Sequence, residues 1–235
     1  MSKQKGTIWI TGASSGIGRE TAIQFLQNGY CVAASARRKE LLISLEEFVG
    51  EGKLLSMELD VTDSEKISKT AAKINRVEDI ACLINNAGTT TFTPVIKNNS
   101  EETKKIIETN LVGAINSIQA VLPMMIEKGK GTIINIISVA AQKTFTNSSI
   151  YAASKAGLLA YANVLREEMR EYNIKVINIL PGATKTPMWP NESLEKYSER
   201  MMSPKDIAKL IFDLFETKNS IVPEEIIIRP MKGDI

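Results

Sequence analysis

Thr11-Gly12-Ala13-Ser14-Ser15-Gly16-Ile17-Gly18 is the stretch on which the fold is decided. It follows the apolar run Thr7–Ile10 and opens a helix pattern. Glycines let the backbone turn tightly and come close to a pyrophosphate, which then meets the unpaired N–H groups of a helix N-terminus. A glycine turn of this kind can also be purely structural. Its context, a strand then glycines then a helix, favours nucleotide binding.

Outward from that turn, short apolar runs alternate with longer amphipathic stretches. Thr7–Ile10, Tyr30–Ala36, Lys53–Glu58, Ile80–Asn85, Gly131–Ser138, Ile174–Leu180 and Glu225–Ile228 read as strands. Most are continuously apolar, which suits strands covered on both faces. Helix ends are marked between them. Thr62-Asp63-Ser64-Glu65 reads as a capping box with Thr62 at the N-cap, and Ser203-Pro204 as a cap followed by proline at the first helical position. Asn28-Gly29 and Lys128-Gly129 read as helix stops. This alternation predicts an α/β fold, a doubly wound parallel seven-stranded sheet in the order 3-2-1-4-5-6-7 with helices on both faces. No composition break or linker divides positions 1–235, so one domain is expected.

Composition narrows the chemistry. The 235 residues are 43% hydrophobic and 24% charged, with a net charge of +2, which argues against holding nucleic acid or acidic lipid by bulk charge. There is no histidine, which excludes a Ser-His-Asp triad and a His-ligated zinc or haem. Two cysteines cannot make a Cys-rich metal cluster. Cys31 and Cys82 fall in the second and fourth strands, with the first strand between them, so both read as small core residues rather than a disulfide. No apolar signal region and no run long enough to span a bilayer is read, so a soluble, reduced, cytoplasmic protein is expected.

The end of the second strand should meet an adenosine ribose, where an acid would bind two ribose hydroxyls. The segment here is Ala34-Ser35-Ala36-Arg37-Arg38, with no acid. Paired guanidiniums favour a phosphate through charge-assisted hydrogen bonds, so NADP(H) is expected in preference to NAD(H). Two solvated arginines opening a helix would look the same. Tyr151-Ala152-Ala153-Ser154-Lys155 lies early in a helix, with Tyr151 and Lys155 on one face. A phenol has a pKa of ~10, and a nearby ammonium favours the phenolate and eases proton exchange. Alone, the pair would be read as surface packing.

Together these motifs resemble the short-chain dehydrogenase/reductase family, over nearly the whole chain. The likeness rests on the Thr11–Gly18 turn, Asp60-Val61, Asn85-Asn86-Ala87-Gly88, Asn110, Ser138, Tyr151 with Lys155, Pro181-Gly182 and Thr186, in the family's order. The resemblance implies a Rossmann-like fold and a catalytic set of Asn110, Ser138, Tyr151 and Lys155. Tyr151 would be the general acid/base and Ser138 the hydrogen-bond partner of the substrate oxygen. Lys155 would hold the nicotinamide ribose and lower the Tyr151 pKa, and Asn110 would hold a relay water. Gly12, Ser14, Ser15, Gly16, Ile17 and Gly18 would line the pyrophosphate, and Arg37 and Arg38 the phosphate that distinguishes NADP. Asp60 and Val61 would flank adenine, and Asn86, Ala87 and Gly88 the adenosine side. Pro181, Gly182, Thr184 and Thr186 would sit near the nicotinamide.

The chain departs from 3-oxoacyl-thioester reductases of the family in lacking their terminal Asp-Gly-Gly segment, and resembles a branch that acts on assorted ketones, dicarbonyls and hydroxy acids. The segment between Thr186 and Ser203 leaves little material for a lid. Phe92, Phe145, Met188 and Trp189 either line an apolar substrate pocket or simply pack. The expected activity is hydride transfer between nicotinamide and a carbonyl or secondary alcohol. The alternative is a catalytically silent NADP(H)-sensing protein on the same fold, which would have no need of Ser138, Tyr151 and Lys155 together. The helices around 110–126 and 149–172 are apolar on more than one face, so a homodimer or homotetramer through them is expected, as the resemblance also implies. No nucleic-acid or membrane partner and no metal is expected.

Overall fold

The computed structural model describes residues 5–217 and 220–235. Along the chain run β1 (Thr7–Thr11), α1 (Gly16–Gln27), β2 (Cys31–Ala36), α2 (Lys39–Ile43), β3 (Lys53–Glu58), α3 (Ser64–Val77) and β4 (Ile80–Asn85). Then come α4 (Ser100–Ile107), α5 (Gly113–Lys128), β5 (Gly131–Ile136), α6 (Ser149–Met169), β6 (Ile174–Pro181), α7 (Asn191–Tyr197), α8 (Pro204–Phe215) and β7 (Glu225–Ile228). The strands form one seven-stranded sheet in the order β3-β2-β1-β4-β5-β6-β7, parallel throughout. This is the topology expected from the alternation of apolar runs and helices.

The continuous apolar strands have their physical reason in two cores. Ile8, Ile10, Ile84 and Ile134 point to the face covered by α1 and α8. Trp9, Leu83, Ile133 and Val176 point to the opposite face, under α3, α5 and α6. Across the second face runs a row of buried amides in register. Asn85 donates to Asn135 at 3.0 Å and Asn135 to Asn178 at 3.0 Å. Such a row ties β4, β5 and β6 together just below the carboxyl ends of the strands, where the site lies.

Several boundaries differ from the sequence reading. Tyr30 precedes β2 rather than starting it, because its N–H bonds to Phe25 O at 3.1 Å and closes the end of α1 behind Gly29. β5 ends at Ile136, and Ser138 instead opens a short 3₁₀ turn by accepting from Ala140 N at 3.1 Å. The N-cap of α3 is Asp63, not Thr62: the Asp63 carboxylate accepts from Lys66 N at 2.8 Å, while the Thr62 hydroxyl donates to Asp60 at 2.9 Å. Ser203 caps α8 with Pro204 behind it, as read.

The helix read over 110–126 is longer. A π-helical turn at Glu108–Val112 joins α4 to α5, so one helix runs Ser100–Lys128. By length and composition alone it is long and apolar enough to cross a membrane, a property that helices packed on a core share, and 39% of its most apolar stretch is buried. Ile118, Val121 and Met125 pack into the core beneath it, so part of that apolar character serves the sheet.

Candidate active site

The reversal of strand order falls between β1 and β4, and a cavity of about 730 Å³ opens at the carboxyl ends of these strands. Thr11 fastens the two strand ends. Its hydroxyl accepts from Asn86 N and Ala87 N, both at 3.1 Å, and its carbonyl accepts from the Asn86 amide at 3.1 Å. Gly12, at φ +68°, leaves no room for a Cβ, which would lie 2.8 Å from Ala87 Cα. The same holds at Gly18, where a Cβ would meet the Asn86 amide at 2.3 Å and Gly12 O at 2.5 Å. Gly18 does not line the cavity, in contrast to Gly12, Ser14, Ser15, Gly16 and Ile17. Its smallness serves close packing of α1 on the strand ends.

Ser15 is the N-cap of α1 and makes no side-chain cap bond, and the first turn holds no acid. The turn's N–H groups are therefore available to an anion, with the positive end of the helix dipole behind them. Arg37 and Arg38 are exposed on the cavity wall directly after β2. Asp60 and Val61 lie on the same wall, and the Asp60 carboxylate is turned back onto Thr62 N at 3.0 Å. The wall continues through Asn86, Ala87 and Gly88.

At the other end of the cavity stand Ser138, Tyr151 and Lys155. Lys155 is 4% exposed and donates to Ile136 O at 2.8 Å. Burial holds its pKa down to about 8. Its Nζ lies 5.8 Å from the centre of the Tyr151 ring. Burial moves the Tyr151 phenol above its ordinary value, and a hydrogen bond with Ser138 pulls it the other way. The sequence reading had Lys155 lowering the Tyr151 pKa; in this structure burial is the largest influence and raises it, and the contact that lowers it is Ser138.

Asn110 does not line the cavity; it is fully buried in the π-helical turn beneath it. Its Oδ1 accepts from Thr89 N at 2.8 Å, and its Nδ2 donates to Thr89 O at 2.9 Å and to Ser154 Oγ at 3.0 Å. Ser154 in turn donates to Tyr151 O at 2.7 Å. Asn110 thus braces the first turn of the helix that carries Tyr151 and Lys155. Ser154 was quoted within the sequence motif but given no role; the signal was its place between those two residues.

Pro181, at the end of β6, and Gly182, Thr184 and Thr186 beyond it complete the rim. Thr184 donates to Gly182 O at 3.0 Å, and Gly182 N to Ile228 O at 2.8 Å. Phe92, Phe145, Met188 and Trp189 all line the cavity, so the four sequence candidates do come together there. The segment between Thr186 and Ser203 contains α7, a short helix beside this mouth. Sequence reasoning missed Lys105, Thr109 and Asp234, which also line the cavity. Asp234 accepts from Lys143 Nζ at 2.5 Å and from Arg229, and Arg200 donates to its main-chain carbonyl at 2.9 Å. The Arg229 and Lys143 cations hold the Asp234 carboxyl below the usual range.

The arrangement can bind an extended anionic ligand along one wall and exchange a proton with an oxygen presented to Ser138 and Tyr151. A family model for short chain dehydrogenases matches residues 6–196. A sepiapterin reductase from Chlorobaculum tepidum is 33% identical over 98% of both chains. A 3-oxoacyl-[acyl-carrier-protein] reductase from Thermotoga maritima is 35% identical over 93% of both. A metagenomic short-chain oxidoreductase solved in complex with NADP superposes with a TM-score of 0.85 at 28% identity, covering 96% of this chain and 97% of that one.

Proposed function

The chain belongs to the short-chain dehydrogenase family, and from that premise we propose that it is an NADP(H)-dependent oxidoreductase interconverting a carbonyl compound and its secondary alcohol. The observation that carries this reading is the convergence of Ser138, Tyr151 and Lys155 on the cavity that begins at the uncapped glycine turn. The residues fit a dinucleotide. Gly12 and Gly16 hold positive φ on the cavity wall, α1 offers its first-turn N–H groups, and two arginines follow an acid-free β2 end. Gly12, Ser14, Ser15, Gly16 and Ile17 would hold the pyrophosphate, Arg37 and Arg38 the distinguishing phosphate, and Asp60, Val61, Asn86, Ala87 and Gly88 the adenosine. Lys155 and the Pro181–Thr186 rim would hold the nicotinamide end. When bound, the cofactor supplies a hydride to the carbonyl carbon or accepts one from the alcohol.

The chain's own groups do the rest. Ser138 donates to the carbonyl oxygen and orients it. Tyr151 gives its proton to that oxygen as charge develops there, and takes it back in the reverse direction. A phenol is already protonated at neutral pH and burial raises the Tyr151 pKa further, so the proton is in place for reduction. Lys155, ammonium below its pKa of about 8, supports the phenolate left behind. Asn110, through Ser154, fixes the helical turn on which both ride. Ketones, dicarbonyls, 3-oxoacyl compounds and hydroxy acids all present the required oxygen. The reductase names of the relatives fall within this range. A panel of these four classes tests the reading by absorbance at the nicotinamide band: NADPH consumption with at least one ketone, dicarbonyl or 3-oxoacyl compound, or NADPH formation from NADP+ with a hydroxy acid, is expected, and no change with any class counts against it.

We further propose assembly as a homodimer or homotetramer through α5 and α6. Val112, just before α5, and Val164 on α6 are 41% and 61% exposed in the single chain. An obligate interface of this kind buries more than ~2,000 Å². Light scattering at micromolar concentration should give a multiple of 25.9 kDa; a fully active monomer would contradict it. A reduced cytoplasmic setting is supported by the two unpaired, buried cysteines, which sit on strands separated by β1.

A further inference from the structure

We propose that Phe92 and Trp189 form a stacking platform that selects flat, conjugated carbonyl substrates. The inference rests on the carbonyl-reduction reading of the same cavity and names its substrate class. Phe92 comes from the connection between β4 and α4, and Trp189 from the connection between β6 and α7. Both line the cavity that holds Ser138 and Tyr151. Their ring centres are 5.1 Å apart and the planes 20° from parallel.

This geometry sets the pair apart from the interior rings. Phe25 meets Tyr30, Phe212 and Phe215 edge to face, at 84°, 63° and 74°. Those rings belong to the core beneath α1 and α8. Phe92 and Trp189 belong to neither core, and Phe92 keeps 41% of its surface in contact with water. Two large rings left partly wet at a cavity mouth are costly to the free protein, and a ligand that covers them recovers that cost. A stacked pair presents flat outer faces, and a third ring extends the stack.

The Trp189 half of the platform is tied to its loop by backbone bonds. Trp189 N donates to Thr186 O at 3.2 Å, and the same segment is anchored by Met202 N to Ala183 O at 2.9 Å and Lys185 N to Met202 O at 3.0 Å. A flat face favours a flat ligand. A conjugated ring joined to its carbonyl is already planar, whereas a flexible or puckered aliphatic group must lose conformational freedom and gains no ring-to-ring contact.

The test compares acetophenone with cyclohexyl methyl ketone, which match in carbon skeleton and differ in flatness. The reading is the ratio of their kcat/KM values in wild type, Trp189→Leu and Trp189→Phe, so that intrinsic reactivity cancels. Trp189→Leu should lower the ratio about 3- to 10-fold, mainly through KM for acetophenone, and Trp189→Phe should restore most of it. NADPH affinity should not change. A ratio unchanged in Trp189→Leu, or an equal loss for both ketones, overturns the proposal. Intrinsic fluorescence gives a readout independent of turnover. The chain has two tryptophans, and Trp9 is wholly buried, so Trp189 is the one a cavity ligand reaches. Acetophenone should quench it in the presence of NADP and cyclohexyl methyl ketone should not. If neither ketone is reduced, the carbonyl-reduction reading fails for this pair, while selective quenching still supports the platform and equal or absent quenching overturns it.

Discussion

Tyr151→Phe is expected to cut turnover by about 100-fold or more while leaving NADPH binding nearly intact. The substitution keeps the ring and its packing and removes only the hydroxyl that Ser138 meets and that gives up the proton. Steady-state kinetics beside a direct NADPH titration separates the two effects. The pH dependence carries the same signature. Reduction needs Tyr151 protonated, and burial raises its pKa above the ordinary phenol value, so wild-type reduction should persist through neutral pH and decline only on the alkaline side. A variant that keeps most of its turnover, with chemistry limiting the rate, would remove Tyr151 from the role of acid.

Arg37→Asp should exchange the cofactor preference. Arg37 stands exposed on the cavity wall immediately after Ala36, the last residue of β2. One charge-assisted hydrogen bond to a phosphate contributes about 1.5–3 kcal/mol, or roughly 10- to 100-fold in affinity. The new carboxylate would also repel the phosphate of NADPH and accept from the free ribose hydroxyls of NADH. The measurement is kcat/KM for each cofactor in both proteins. Equal efficiency with NADH and NADPH in the wild type would sink the assignment, since the arginines would then be two solvated side chains.

The fold was legible because most strands, the inner ones above all, are apolar on both faces, a pattern that follows from helices covering both sides of the sheet. The cofactor wall was legible for a related reason. Glycines at Gly12 and Gly16 are demanded by backbone at positive φ, and sequence displays such demands directly. Contacts between distant residues were not legible. Lys143 and Asp234 lie 91 positions apart, and nothing local marks either as the other's partner. Asn110 carries a family signal, but its bonds to Thr89 and Ser154 depend on a π-helical turn that periodicity does not reveal. The cap of α3 was misplaced by one residue for a chemical reason. Thr62 and Asp63 both suit an N-cap, and the choice falls to Asp63 because Asp60 occupies the Thr62 hydroxyl.

The central claim is that this cavity passes a hydride between nicotinamide and a carbonyl carbon. The most direct measurement incubates the protein and a reducible ketone with NADPH carrying deuterium in place of both hydrogens at nicotinamide C4, and examines the alcohol by mass spectrometry and NMR. The account predicts one deuterium on the carbinol carbon of every product molecule, and none in a mixture with Tyr151→Phe beyond its residual turnover. An alcohol formed without the label, or NADPH bound tightly but never consumed with any carbonyl compound of the panel, would contradict it.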